Sequence, residues 1–215
     1  MKTLIAIPCM DMVHTTFLRS LIGMNRVGET QFAIACSSLI YDARNQLVKK
    51  AIDEKFDRIL WLDSDMDFQP DLMNRLSARL DEGRDLVTGI YFSRKAPVKP
   101  VFYEAVGYYH DDANQSVTPH AVPFLEYPKD SIFEIQGCGF GGVMHTVELA
   151  KKVQDKFGVP FAPILGFGED LSFCVRARDV GATLWCDSSI KLGHVGYGTI
   201  TEDAYNASKM VSNNA

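Results

Sequence analysis

A surplus of basic charge, paired cysteines and long apolar runs are all missing from this sequence. With 22 Lys and Arg against 27 Asp and Glu, its formal net charge is −5. That balance argues against a nucleic-acid binder working through a broad basic face, although Arg94, Lys95 and Lys99 form a local basic patch. The five cysteines, Cys9, Cys36, Cys138, Cys174 and Cys186, are scattered, and none forms a CxxC pair. A zinc knuckle and a disulfide scaffold are thereby disfavoured, and buried reduced thiols are expected. No apolar run approaches membrane-spanning length. The stretch Thr3 to Ile7 is too short for a signal-peptide core and soon meets Asp11, so a cytoplasmic protein is expected.

What is present is a strand-and-helix rhythm. Leu4 to Pro8 reads as a first strand, followed by a helix near Val13 to Met24 and a strand over Phe32 to Cys36. Asp42 to Phe56 carries Leu47, Val48, Ala51 and Ile52 on one helical stripe. Ile59 to Leu62 is the next strand, Pro70 suits the first turn of a helix ending near Leu80, and Leu86 to Phe92 is a further strand. This alternation predicts a parallel sheet covered by helices. The rhythm then breaks: Ala96 to Pro128 reads as hairpin or loop, and Ile132 to Met144 as one long glycine-bearing strand. Helices over Val147 to Phe157 and Glu169 to Val180, a short strand at Thr183 to Cys186 and a helical tail from Thr201 complete the expectation of a single domain.

The densest chemistry follows the third strand, in Ile59-Leu60-Trp61-Leu62-Asp63-Ser64-Asp65-Met66-Asp67. A continuous apolar run fits a strand buried on both faces. Unpaired carboxylates are costly inside such a sheet, so they belong where the strand emerges, at the edge where open α/β sheets bind ligands. In an extended segment Asp63 and Asp65 point to the same side, forming a hard-oxygen site for Mg²⁺ or Mn²⁺. A calcium loop fails, because Phe68 and Asn74 stand where Gly and Glu are required. A DxD phosphatase with Asp63 as nucleophile is the alternative from another class, and Met66 departs from its motif. Asp67 alone would suit a helix cap.

Three further segments carry candidate roles. Asp170 follows Gly166-Phe167-Gly168-Glu169 at a helix start, fitting either a cap or a general base reached through a glycine loop. His194, between Gly193 and Val195-Gly196, fits the closing ligand of a metal site begun by Asp65. Arg44 and Asn45, at the start of the second helix, fit a phosphate contact or a solvated surface. Gly137, Gly139 and Gly142 match a dinucleotide fingerprint in spacing, but Val143-Met144 continue a strand and exclude that reading. Glycines there are expected to let a substrate approach the backbone.

Taken in order, these features resemble the GT-A glycosyltransferases, most closely small enzymes related to family 2. The resemblance rests on Ile7-Pro8, Asp42-Ala43-Arg44-Asn45, Leu62-Asp63-Ser64-Asp65, Leu86-Val87-Thr88-Gly89, the Gly137 to Gly142 segment, Glu169-Asp170 and His194. It implies an α/β fold of GT-A type, a three-layer α/β/α sandwich with a mostly parallel central sheet. The donor-binding half would span about residues 1–95 and the acceptor side about 96–200, with a tail over 201–215. It further implies a UDP- or GDP-linked sugar donor against Pro8, Arg44, Asp63, Ser64 and Asp65. Mn²⁺ or Mg²⁺ would be held by Asp63, Asp65 and His194, and Asp170 would be the base of an inverting transfer. No QxxRW-type motif is present, which disfavours a processive synthase. The acceptor implied is a saccharide, a small molecule or a modified nucleic-acid base, the last drawing on Arg94, Lys95 and Lys99.

Overall fold

The structure, a computed structural model, describes residues 1–111, 115–196 and 199–212. Strand β1 (Lys2–Cys9) leads through helix α1 (Thr15–Gly23) to β2 (Glu29–Cys36), and α2 (Ile40–Asp53) leads to β3 (Arg58–Leu62). The two-residue β4 (Met66–Asp67), α3 (Leu72–Asp81) and β5 (Leu86–Ile90) follow. A hairpin of β6 (Phe102–Asp111) and β7 (Ser116–Pro123) precedes β8 (Ile132–Ile135), β9 (Gly137–Cys138) and β10 (Gly142–Thr146). The chain continues through α4 (Val147–Phe157), α5 (Glu169–Asp179), β11 (Leu184–Lys191), β12 (Gly193–Val195), β13 (Thr199–Ile200) and α6 (Glu202–Ser212).

The central sheet has seven strands in the order β2-β1-β3-β10-β5-β11-β8. Strands β2, β1, β3, β5 and β11 run one way, and β10 and β8 run against them. Alternate residues of the apolar strands feed opposite faces, as a two-residue period requires. Leu4, Ala6, Ile59 and Trp61 pack with Leu47, Val48 and Ala51 of α2, Leu149 and Val153 of α4, and Phe173 of α5. Ile5, Ile7, Leu60 and Leu62 pack on the other face with Phe17 of α1 and Leu72, Met73, Leu76 and Leu80 of α3. The fold is therefore mixed α/β, with helices on both faces. No helix among the described residues is long and apolar enough to cross a membrane.

Several expectations need correction. The segment Ile132 to Met144 is not one strand: β8 pairs with β11, β9 with β6, and β10 enters antiparallel between β3 and β5. Its glycines make this crossing possible, and they face protein rather than a ligand. A Cβ on Gly137 would lie 2.9 Å from Leu171 Cδ2, one on Gly141 would lie 2.8 Å from Met66 Sδ, and one on Gly139 would collide with the Tyr91 hydroxyl. The short last strand is instead the eight-residue β11, whose Asp187 and Ser188 are buried. These polar residues are satisfied, Asp187 by Arg79 Nε at 2.8 Å and Ser188 by donating to the Pro128 carbonyl at 2.6 Å. Pro70 lies two residues ahead of α3 rather than in its first turn.

A carboxylate cleft at the ends of the central strands

Strand β3 ends at Leu62, and the chain turns at once: the Met66 amide donates to the Asp63 carbonyl at 3.2 Å. Asp63 and Asp65 thus leave the sheet on a turn rather than an extended segment, and each finds its own partners. The loop is tied down from both sides, by Asp63 N–H on the Gly141 carbonyl at 3.3 Å and Val195 N–H on the Asp65 carbonyl at 2.8 Å. Asp67 caps no helix; it accepts from Ser20 Oγ at 2.8 Å, and the residue ahead of α3 is Asp71.

Above this turn opens a cleft of about 540 Å³. Pro8, Asp63, Ser64, Asp65, Asp170 and His194, all singled out in the sequence, line it together. They come from the ends of β1 and β3, the start of α5 and β12, the elements that converge at this end of the sheet. Tyr91 and Arg94 line it as well. Arg94 was legible only as one member of a basic patch, and Tyr91, on an apolar strand, carried no signal.

Arg44 is the exception. It does not face the cleft to meet a phosphate; it is only 1% exposed. Its Nη2 lies 2.9 Å from Asp63 Oδ1 and 3.2 Å from Asp170 Oδ1, and its Nε lies 3.5 Å from Glu169 Oε1. The rings of Trp61 and Phe140, each 5.5 Å from its guanidinium carbon, and Phe161 wall off the rest. Burial opposes its charge, but Asp63, Asp170 and Glu169 outweigh burial and hold it protonated. Arginine suits this place, since its fork reaches several carboxylates at once.

The carboxylates respond differently. Burial raises the Asp63 pKa, opposed by Arg44 and reinforced by Asp65. Burial also pushes Asp170 up to about 7, Arg44 pulling against it while Glu169 and Asp63 add to the rise. Its Oδ2 accepts from Phe140 N–H at 3.2 Å, which fixes the carboxyl at the cleft wall. Asp65 moves the other way: burial alone would raise it, yet His194 and Arg94 bring it below the ordinary value.

His194 Nδ1 lies 2.8 Å from the Phe92 carbonyl, which can only accept, so Nδ1 carries a hydrogen. Its Nε2 then faces Asp65 Oδ1 at 3.6 Å. In a neutral ring that places a lone pair against a carboxylate oxygen, an arrangement completed by a proton or a cation between them. No group of three or more His, Cys, Asp or Glu among the described residues is arranged to hold a metal. Asp65 and His194 nevertheless fit Mg²⁺ or Mn²⁺, which are commonly held by one or two protein ligands with phosphate and water filling the rest. Asp63, expected as a third ligand, has its Oδ1 held by Arg44. Asp65 Oδ2 is held by Arg94 Nη1 at 2.7 Å, so a cation already sits at this carboxylate.

No family model matches this chain. No curated protein matches it either. Among solved structures, the crystal structure of A197 from STIV is similar, with a TM-score of 0.65 and 21% sequence identity over 91% of this chain and 86% of that one. At that identity the likeness concerns the fold.

Proposed function

We propose that this chain is a metal-dependent glycosyltransferase of GT-A type, its helices and sheet forming a three-layer α/β/α sandwich. It would move a sugar from a UDP- or GDP-linked donor to an acceptor hydroxyl, with inversion. The observation that carries this reading is the convergence of Asp63, Asp65, Asp170 and His194 on one cleft at the ends of β1 and β3. Such an edge of an open α/β sheet is where nucleotides bind.

Asp65 and His194 would hold the Mn²⁺ or Mg²⁺, whose chemistry when bound is to offset charge on the leaving diphosphate. Arg94, at the mouth beside Asp65, is placed to add a guanidinium to the same phosphates. Asp170 takes the acceptor proton. Its pKa near 7 suits a base at neutral pH, and the Phe140 amide and Arg44 keep its carboxyl oriented. Asp63 binds through the oxygen that Arg44 leaves free, which suits a hydroxyl of the donor. The phosphatase reading draws less support, because its nucleophile would be Asp63, ion-paired to a buried arginine. A nucleic-acid acceptor also draws less, since Arg94 lines the cleft and is paired with Asp65, while Lys95 and Lys99 are not among the lining residues.

The test is a thermal-shift panel of UDP, GDP, CMP and their sugar conjugates, with and without Mn²⁺. A ligand at ~100 times its Kd adds ~2.7 kcal/mol, a rise of roughly 5–10 °C for a domain of this size. A metal-dependent rise with one nucleotide is expected. No shift with any nucleotide overturns the reading.

A further inference from the structure

Away from the carboxylates, β1 and β2 end side by side in a pair of thiols. Cys9 and Cys36 are register partners at the last position of each parallel strand, and their Sγ atoms are 3.4 Å apart. Cys9 is buried and Cys36 is exposed, contrary to the expectation that both are buried. The reason is topological: β2 is the edge strand of the sheet, so its side chains are covered less. Cys9 also lines the cleft, next to Pro8 and Met10, and its carbonyl accepts from Ser37 N–H at 3.1 Å.

We propose that Cys9 and Cys36 are a redox modification site, an exposed thiol and its buried neighbour that a hydroperoxide converts to an intramolecular disulfide and a dithiol restores. The Sγ atoms must approach by about 1.3 Å to reach bonding distance, a movement the free ends of two strands can supply. The Cys36 thiolate attacks the peroxide O–O bond, forming a sulfenic acid and releasing water after protonation. Cys9 sulfur then attacks that sulfur: the S–S bond forms, the S–O bond breaks, and the departing hydroxide takes up the Cys9 proton as a second water. In sum, two thiols and one hydrogen peroxide give one disulfide and two waters. Burial, with Cys36 as neighbour, pushes the Cys9 thiol up to about 11, which agrees with Cys36 being the sulfur oxidised first. The bond would join the points where both strands enter the loops walling the cleft. Cys138 and Cys174 are also in contact, with the Cys174 thiol on the Cys138 carbonyl at 3.6 Å, but both are fully buried, as is Cys186. They form the internal control.

The experiment treats the folded chain with hydrogen peroxide, unfolds it in an alkylating reagent, and digests it without reduction for mass spectrometry. The expected product is one cross-linked peptide pair carrying Cys9 and Cys36, lighter by two hydrogen atoms and released by dithiothreitol, with Cys138, Cys174 and Cys186 alkylated. Cys9→Ser is expected to raise the irreversible sulfinic fraction at Cys36 several-fold. The proposal is overturned if wild-type Cys36 goes to sulfinic acid while Cys9 stays alkylatable. A Cys36–Cys36 bond between two chains as the main product overturns it equally.

Discussion

Asp170 Oδ1 lies 3.2 Å from Arg44 Nη2, so the carboxylate proposed as the base is anchored to a cation that solvent scarcely reaches. Burial and the neighbouring Glu169 and Asp63 win over that cation, and Asp170 titrates near 7 rather than near 4. Only its deprotonated form accepts a proton. Transfer is therefore expected to rise with pH through about 7 and to level off above it. Asp170→Asn is expected to slow transfer by ~10²–10⁴-fold while leaving the nucleotide-induced thermal shift intact. A flat rate between pH 5.5 and 8.5 in the wild type would count against Asp170 as the base.

Arg44 is predicted to be among the least replaceable side chains in the molecule. Replacing it with Met leaves Asp63, Glu169 and Asp170 facing one another without their shared cation. Breaking a buried ion pair from one side costs about 3–5 kcal/mol, much of it the penalty of the stranded charges. Arg44→Lys keeps the charge but loses the fork, so a smaller loss is expected. Urea midpoints of the three proteins check both statements. A midpoint for Arg44→Met equal to that of wild type would remove the hub from any account of stability.

Asp65 carries two opposed claims: Arg94 Nη1 holds one oxygen at 2.7 Å, and His194 Nε2 faces the other at 3.6 Å. A divalent cation at this pair must compete with the guanidinium. Arg94→Gln is therefore expected to tighten binding of Mn²⁺ alone by up to about fivefold, since a partly exposed ion pair is worth ~0–1 kcal/mol. Asp65→Ala and His194→Ala are expected to abolish it. Titration of Mn²⁺ followed by the paramagnetic resonance of the free ion reads all four proteins without any assay of transfer. Unchanged Mn²⁺ binding in Asp65→Ala would place the metal elsewhere.

Much of this arrangement was visible before the chain was folded. Ile59 to Leu62 reads as a buried strand, and the abrupt arrival of Asp63 put the carboxylates at its end, where the structure has them. What escaped was whatever depends on distant pairing. Strand β10 sits antiparallel because Val143 pairs with both Trp61 and Thr88, a choice that no local pattern records. Arg44 has the polar surroundings of an exposed helix residue, and its burial follows only once α5 brings Glu169 and Asp170 beside Asp63. Cys36 ends an apolar run and reads as core, and its exposure follows from strand order alone.

In the core, His145 supplies a last prediction, for stability rather than activity. It is fully buried in β10, where its Nε2 accepts from Trp61 Nε1 at 2.8 Å, and its ring stacks on Phe173. Burial drives its pKa down to about 4, with the Thr146 carbonyl pulling weakly the other way. In the unfolded chain it titrates near 6.5. Between those values the unfolded state binds a proton that the folded state refuses, so acid favours unfolding. The contribution is complete above pH ~6.5 and is lost as pH falls toward 4, amounting at most to about 3 kcal/mol. Other acid-sensitive groups, such as Glu202 held low at about 2, add their own loss further down. A comparison with His145→Gln, which keeps an acceptor for Trp61 but cannot titrate, separates the two. Urea midpoints measured from pH 7.5 to 4.5 are expected to fall more steeply for wild type than for the variant. Parallel slopes would mean that His145 takes up a proton inside the core as readily as it does in water.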